Sequence, residues 1–204
     1  MAELIFYTNP QSRGQIARWM LEETGADYET EVLDYETTMK EEPYLSINPM
    51  GKVPAIKHGD RIVTECAAIC AYLADAFPNA GLAPAPADRA AYYRWFFFAA
   101  GPVEQAVVEK AMGVVPSAEQ ARMVGYGSYD TVVDVLDKHL AANTFAAGDT
   151  FTAVDVYLGA QVSWGMQFGT LPERDSFIAY RGRLADRPAY ARAVELDAAL
   201  MPKE

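Results

Sequence analysis

Between Asn48 and Cys66 two prolines and a glycine bracket a short apolar segment. A Gly59-Asp60 turn, a second apolar segment and the polar pair Glu65-Cys66 follow. Pro54 cannot donate to a sheet ladder, so it must start a strand or stand at its edge. A proline held in a turn before a strand is also where cis peptide bonds occur. Such a bond leaves the N–H and C=O of Val53 pointing outward, free to pair with an extended ligand. Other reactive side chains lie far off in sequence. Tyr7 ends a strand pattern, and Ser12 stands where it could cap the helix that follows. Cys66 and Cys70 lie four apart in one helical pattern, which matches neither a CxxC redox pair nor a zinc spacing. With His58 and His139 the only histidines, a histidine-based metal site is not expected.

These groups need a scaffold. Glu3 to Tyr7 reads as a short buried strand ended by Thr8-Asn9-Pro10. Ile16, Ala17, Trp19, Met20 and Leu21 then recur at helical spacing until Gly25. Tyr28 to Leu33 reads as a second strand, and Pro43 to Asn48 as a short helix. Two strands joined at Gly59-Asp60 form an antiparallel hairpin. From Glu65 a helical stripe through Ile69, Tyr72, Leu73, Ala76 and Phe77 runs to Pro78. A strand–helix–strand start calls for a right-handed crossover and a parallel pair. The expected fold is α/β followed by all-α, with a mixed four-stranded sheet complete by residue 78.

Residues 79–87, rich in proline and alanine, read as a linker. From 88 to 204 every pattern is helical. One run from Arg89 to Met112 carries Tyr92, Tyr93, Trp95 and three phenylalanines, with a kink expected at Gly101-Pro102. A second starts at Pro116-Ser117 and extends to about Leu140. A third opens on Thr152-x-x-Asp155, a capping-box sequence with Phe151 and Val156 placed as a hydrophobic staple, and Gly165 and Gly169 close it. Two shorter helices finish the chain.

At 204 residues, 51% hydrophobic and 22% charged, the chain is an ordinary globular protein with room for a sizeable core. Its formal net charge of −11 argues against nucleic acid and against an anionic membrane surface as partners. No apolar run approaches a membrane span. No export signal is evident, and the unpaired cysteines suit a reduced, cytoplasmic compartment.

This order of elements resembles the cytosolic glutathione transferases. Three motifs carry the resemblance: Asn48-Pro49-x-Gly51-Lys52-Val53-Pro54, Thr64-Glu65-Cys66-x-x-Ile69 and Phe151-Thr152-x-x-Asp155. Cys66 stands where the family usually has serine. The resemblance spans the chain and implies a thioredoxin-like, glutathione-binding domain over 1–78 and an all-helical substrate domain over 88–204. It also implies a homodimer, no metal, and transfer of glutathione as co-substrate to small hydrophobic electrophiles in detoxification. Val53 would pair with the cysteinyl part of the tripeptide, next to Pro54. Glu65 and Cys66 would hold the γ-glutamyl end at a helix start, where N–H groups favour a carboxylate. Lys52, or less readily Lys40, would face the glycyl carboxylate.

The implied chemistry needs a thiolate. Free thiols titrate near ~8.5, so a shift of about two units takes roughly 2.7 kcal/mol of selective anion stabilisation. One hydroxyl donor at a helix start can supply most of that. Ser12 stands at the offset used by the serine- and cysteine-type branches and is the first choice. Tyr7 stands where the tyrosine-type branches keep their residue, and Asn9 could donate from its amide. Each has a plainer reading: Ser12 as a cap, Tyr7 as strand filling, Cys66 as a small buried residue. The exposed part of the Tyr92 to Phe98 cluster would line a substrate pocket or meet a partner subunit. Two rival functions stay open: a non-catalytic binding or interaction protein of this fold, and a glutathione-dependent reductase or dehalogenase. The absence of cysteine at position 12 counts against the latter.

Overall fold

The computed structural model describes residues 3–201. Strands Leu4–Thr8 (β1), Glu29–Val32 (β2), Ala55–His58 (β3) and Arg61–Thr64 (β4) form one sheet in the order β2-β1-β3-β4. β1 runs parallel to β2 and antiparallel to β3, and β3 and β4 form the hairpin. The mixed four-stranded sheet is as the sequence predicts. β1 is central because its residues are apolar on both faces. Leu4, Phe6 and Thr8 are covered on one side, and Tyr7, on the opposite face by strand alternation, is only 6% exposed.

Helix α1 (Gly14–Thr24) buries Ile16, Ala17, Trp19, Met20 and Leu21 and stops at Gly25, whose φ of 66° is left-handed. Two short helical stretches, Thr38–Lys40 and α2 (Tyr44–Ile47), precede β3, and α3 (Cys66–Ala76) follows β4. By compactness the chain divides into two units. One runs to Leu82 and resumes at Arg187; the other is Ala83–Asp186.

The last helix therefore belongs to the first unit, whereas the sequence reading groups it with 88–204. The reason is a set of specific contacts between α1 and α9 (Pro188–Ala199). Arg18 donates through Nε to Asp197 at 2.6 Å. Glu23 receives two hydrogen bonds from Arg187, at 2.6 and 2.7 Å, and one from the Trp19 indole at 2.8 Å. The Trp19 and Tyr190 rings meet edge to face at 4.9 Å. None of these pairings follows from helical periodicity.

The second unit holds α4 (Ala90–Phe98), a π-helical turn at Ala99–Val103 around Pro102, and α5 (Glu104–Met112). After these come α6 (Tyr129–Ala142), α7 (Ala153–Gln167) and α8 (Asp175–Ala185). Pro102 lacks an N–H and re-registers the helix, which gives the expected irregularity the form of a π turn. α6 begins at Tyr129, not near Pro116. Gly125 and Gly127 interrupt the pattern, and the Ser128 hydroxyl accepts the Thr131 N–H at 3.2 Å as the true cap. Gly165 does not end α7. It lies inside it, where an added Cβ would come within 2.6 Å of Leu171, so it is a close-packing glycine.

Thr152 and Asp155 form the reciprocal capping box at the start of α7. Of the aromatic cluster, Tyr92, Trp95 and Phe96 are buried while Phe97 is 74% exposed. Among the described residues no helix is long and apolar enough to cross a membrane.

A pH-sensitive contact sits on α6. His139 Nε2 donates to the Ala146 carbonyl at 2.8 Å, while Nδ1 accepts from the Asn143 amide at 3.1 Å. That pattern is the neutral ring, and it stacks on Trp95 with centroids 3.7 Å apart. Burial pushes the imidazole pKa below its ordinary value, and the charge of Arg94 adds to this. A depressed folded pKa means stability present above about pH 6.5 and lost as pH falls through the folded value. Denaturant melts of wild type and His139→Gln between pH 5 and 8 should differ in slope, the variant losing less stability on the acid side.

Candidate functional site

The sheet register gathers the predicted groups. Tyr7 pairs with Ala55, and Ala55 with Thr64. The loop after β1, the Lys52–Pro54 segment before β3 and the Glu65-Cys66 pair after β4 therefore all leave the sheet at one end. That convergence is invisible in the linear sequence.

The Lys52–Pro54 segment is held rigidly. The Lys52 carbonyl accepts from the Tyr44 hydroxyl at 2.5 Å and from the Asn48 amide at 2.7 Å. Gly51, at φ 56° and with the Met39 carbonyl 2.9 Å from any added Cβ, makes the turn. The Val53–Pro54 peptide is cis. Among the described residues, neither the N–H nor the C=O of Val53 has a backbone partner. Its side chain packs on a buried cluster of Tyr7, Leu33, Met39, Tyr44 and Ala55. Unpaired backbone groups on a fixed segment form a ready edge for an extended molecule.

Two predicted ligands prove to have structural work. The Lys40 ammonium donates to the Gly51 carbonyl at 2.5 Å. The Asn9 amide donates to Leu33 at 2.8 Å, while its oxygen accepts from the Gln11 N–H at 2.9 Å. Lys52, by contrast, is exposed and its side chain makes no hydrogen bond or ion pair among the described residues.

α3 starts abruptly. Glu65 has φ 63°, the only described non-glycine residue with positive φ. Such a conformation costs about 1–3 kcal/mol and clusters at functional sites. Glu65 is exposed, whereas Cys66 is 8% exposed and points its Sγ at the Arg13 carbonyl, 3.6 Å away. The start of α3 thus touches the loop that carries Ser12. One turn on, Cys70 is fully buried; burial, helped by the hydrogen bond with Cys66, pushes its thiol well above the ordinary range. Cys70 is packing, not chemistry.

Ser12 lies two residues before α1. Its hydroxyl donates to the Asn9 carbonyl at 2.7 Å and accepts the Gly14 N–H at 2.9 Å. The N-cap position falls on Arg13, without a side-chain cap, so Ser12 is not the cap that the sequence suggests. Its hydroxyl is polarised instead, because an accepted N–H strengthens the O–H as a donor. Tyr7 differs. Burial, with the charge of Glu31, raises its pKa, so the phenol stays protonated, and no described residue hydrogen-bonds it. Sequence reasoning missed Gly14, where an added Cβ would meet both Thr8 Oγ1 and Ser12 Oγ; a glycine two places after a candidate hydroxyl was the only signal. No group of three or more His, Cys, Asp or Glu among the described residues could hold a metal ion.

Comparison with known proteins identifies relatives along nearly the whole chain. The family described as "Glutathione S-transferase, N-terminal domain" matches residues 2–75. Glutathione S-transferase 3 of Zea mays is 32% identical over 95% of this chain and 94% of its own. Glutathione S-transferase GST-4.5 of Xanthomonas campestris is 29% identical over 91% and 95%. A sphingomonad glutathione S-transferase solved in complex with glutathione superposes with a TM-score of 0.78 at 30% identity, covering 95% of this chain and 98% of that one. With a relative this similar along nearly its whole length, the chain belongs to the glutathione S-transferase family.

Proposed function

We propose that the chain binds glutathione at the end of the sheet described above, ionises its thiol and transfers it to a small hydrophobic electrophile. The observation that carries this reading is the unpaired N–H and C=O of Val53, emerging where the Ser12 loop and the start of α3 also emerge. In this assignment Val53 pairs with the cysteinyl backbone. The first N–H groups of α3, at Cys66, receive the γ-glutamyl carboxylate, and Glu65 pairs with its ammonium. Lys52 faces the glycyl carboxylate.

The Ser12 hydroxyl turns from the Asn9 carbonyl to the sulfur while still accepting the Gly14 N–H, so it stabilises the thiolate over the thiol. The thiol proton leaves to solvent. The thiolate then forms a C–S bond, and the leaving group departs with its electron pair. Tyr7 supports a second reading, because its protonated hydroxyl has no hydrogen-bond partner among the described residues. The exposed Phe97 supports a homodimer, and family membership a cytoplasmic location.

Steady-state assays with glutathione and a panel of apolar electrophiles should show turnover. Lys52→Ala should raise the KM for glutathione about tenfold and leave kcat nearly unchanged, since a distant charge contact binds ground and transition states alike. Glutathione binding without turnover across the panel would favour a binding protein instead.

A further inference from the structure

We propose that Gly14 is a positioning residue for the Ser12 hydroxyl; the inference rests on the reading of Ser12 as the thiolate donor. Gly14 is buried at the first position of α1, and its N–H donates to Ser12 Oγ at 2.9 Å. A Cβ at this position would stand 1.9 Å from Thr8 Oγ1 and 2.9 Å from Ser12 Oγ. Both distances are shorter than real contacts allow. Because φ at Gly14 is not in the left-handed region, the demand for glycine is one of space rather than of backbone conformation.

The surroundings decide where the strain would go. Thr8 is fully buried in β1, and its carbonyl accepts the Leu33 N–H at 2.8 Å, so the strand end is fixed. α1 is anchored to α9 through Arg18–Asp197, Glu23–Arg187 and Trp19–Tyr190. Asn9 is tied to Leu33 by its side chain. The segment Gln11 to Arg13, which carries Ser12, is exposed or half-buried. The Tyr35 hydroxyl holds the Gln11 carbonyl at 3.1 Å, and Cys66 Sγ lies 3.6 Å from the Arg13 carbonyl. These contacts are longer than those that fix β1 and α1, so this segment yields first. A side chain at 14 would thus displace the hydroxyl, or separate it from the N–H that polarises it, while the sheet and α1 persist. The missing Cβ lets the hydroxyl sit against the positive end of α1, where its donation to an anion is strongest.

The test is a pH titration of bound glutathione thiolate absorbance with kcat and KM on wild type, Gly14→Ala, Ser12→Ala, Thr8→Ala and Gly14→Ala/Thr8→Ala. Gly14→Ala should raise the thiolate midpoint by about one unit, leaving about tenfold less thiolate well below the midpoint. The KM for glutathione should stay nearly constant. Removing Thr8 Oγ1 in the double variant should recover part of the shift, which a merely destabilised protein would not show. An unchanged midpoint in Gly14→Ala, with Ser12→Ala shifted, overturns the positioning role. An unchanged midpoint in Ser12→Ala overturns the donor assignment itself. Should Gly14→Ala alone not fold, the double variant is compared with Thr8→Ala. The contact to Ser12 Oγ remains there, and an upward shift is again expected; no shift overturns the proposal.

Discussion

Exchanging Asp155 for alanine is expected to remove about 4 kcal/mol of stability from the Ala83–Asp186 unit, a large fraction of the roughly 5–15 kcal/mol that holds a typical domain folded. The carboxylate is fully buried. One oxygen accepts the Ala146 N–H and the Tyr180 hydroxyl, both at 2.7 Å. The other accepts the Thr152 N–H at 2.8 Å and its hydroxyl at 3.1 Å. Burial alone pushes the Asp155 carboxyl above its ordinary pKa, and the four donors pull the other way. Truncation would therefore leave at least three buried donors unsatisfied, each costing about 1–3 kcal/mol. The cap of α7 would be lost with them. Asp155→Asn keeps the shape and one acceptor, so it should lose roughly half as much by the same donor count. Denaturant unfolding followed by circular dichroism measures both. A loss below about 1 kcal/mol for the alanine variant would show that the network is not what holds α7.

Asp197→Ala is expected to cost about 3–5 kcal/mol, because it removes the counter-charge of a guanidinium that is 2% exposed. Arg18 would keep only the Tyr28 hydroxyl at 3.2 Å, the Thr30 hydroxyl at 3.3 Å and the faces of Phe6 and Tyr28. Its Nη2 already lacks a hydrogen-bond partner among the described residues. Burial raises the Asp197 carboxyl pKa against the opposing pull of Arg18, so desolvation is the larger effect on this pair. The pair is accordingly expensive to break and not expensive to replace. Arg18→Met/Asp197→Leu should recover most of the loss. If the double variant is as unstable as Asp197→Ala alone, the ionic contact itself holds α9 on α1.

Features specified by near neighbours were legible in the sequence. Pro54 and Gly51 announce a fixed turn through their own backbone constraints, and Thr152 with Asp155 announces a helix start. The parallel β1–β2 pair follows from the crossover between them. Features specified by distant partners were not. Tyr7, Ala55 and Thr64 fall in one row only through the sheet register, so the meeting of three separate loops could not be read off. An aspartate in an amphipathic helix gives no address, so Asp197 gave no sign that α9 packs on α1. The apolar spacing through Met123 and Tyr126 suggested a helix, yet Met123 is 83% exposed and two glycines intervene. At the site, Lys40 and Asn9 looked like ligands by type, while the structure engages both in bracing loops. Ser12 was singled out by its offset from Tyr7, and a glycine two places on was the only hint of the close approach at Gly14.

In the proposed reaction the Ser12 hydroxyl holds glutathione as its thiolate. Ultraviolet titration of bound glutathione on wild type, Ser12→Ala and Tyr7→Phe tests it directly. The midpoint is expected well below the free-thiol value near ~8.5 for wild type and Tyr7→Phe, with a return toward that value in Ser12→Ala alone. A lowered midpoint that survives in Ser12→Ala would contradict it, and its loss in Tyr7→Phe would assign the donor to the phenol at the end of β1.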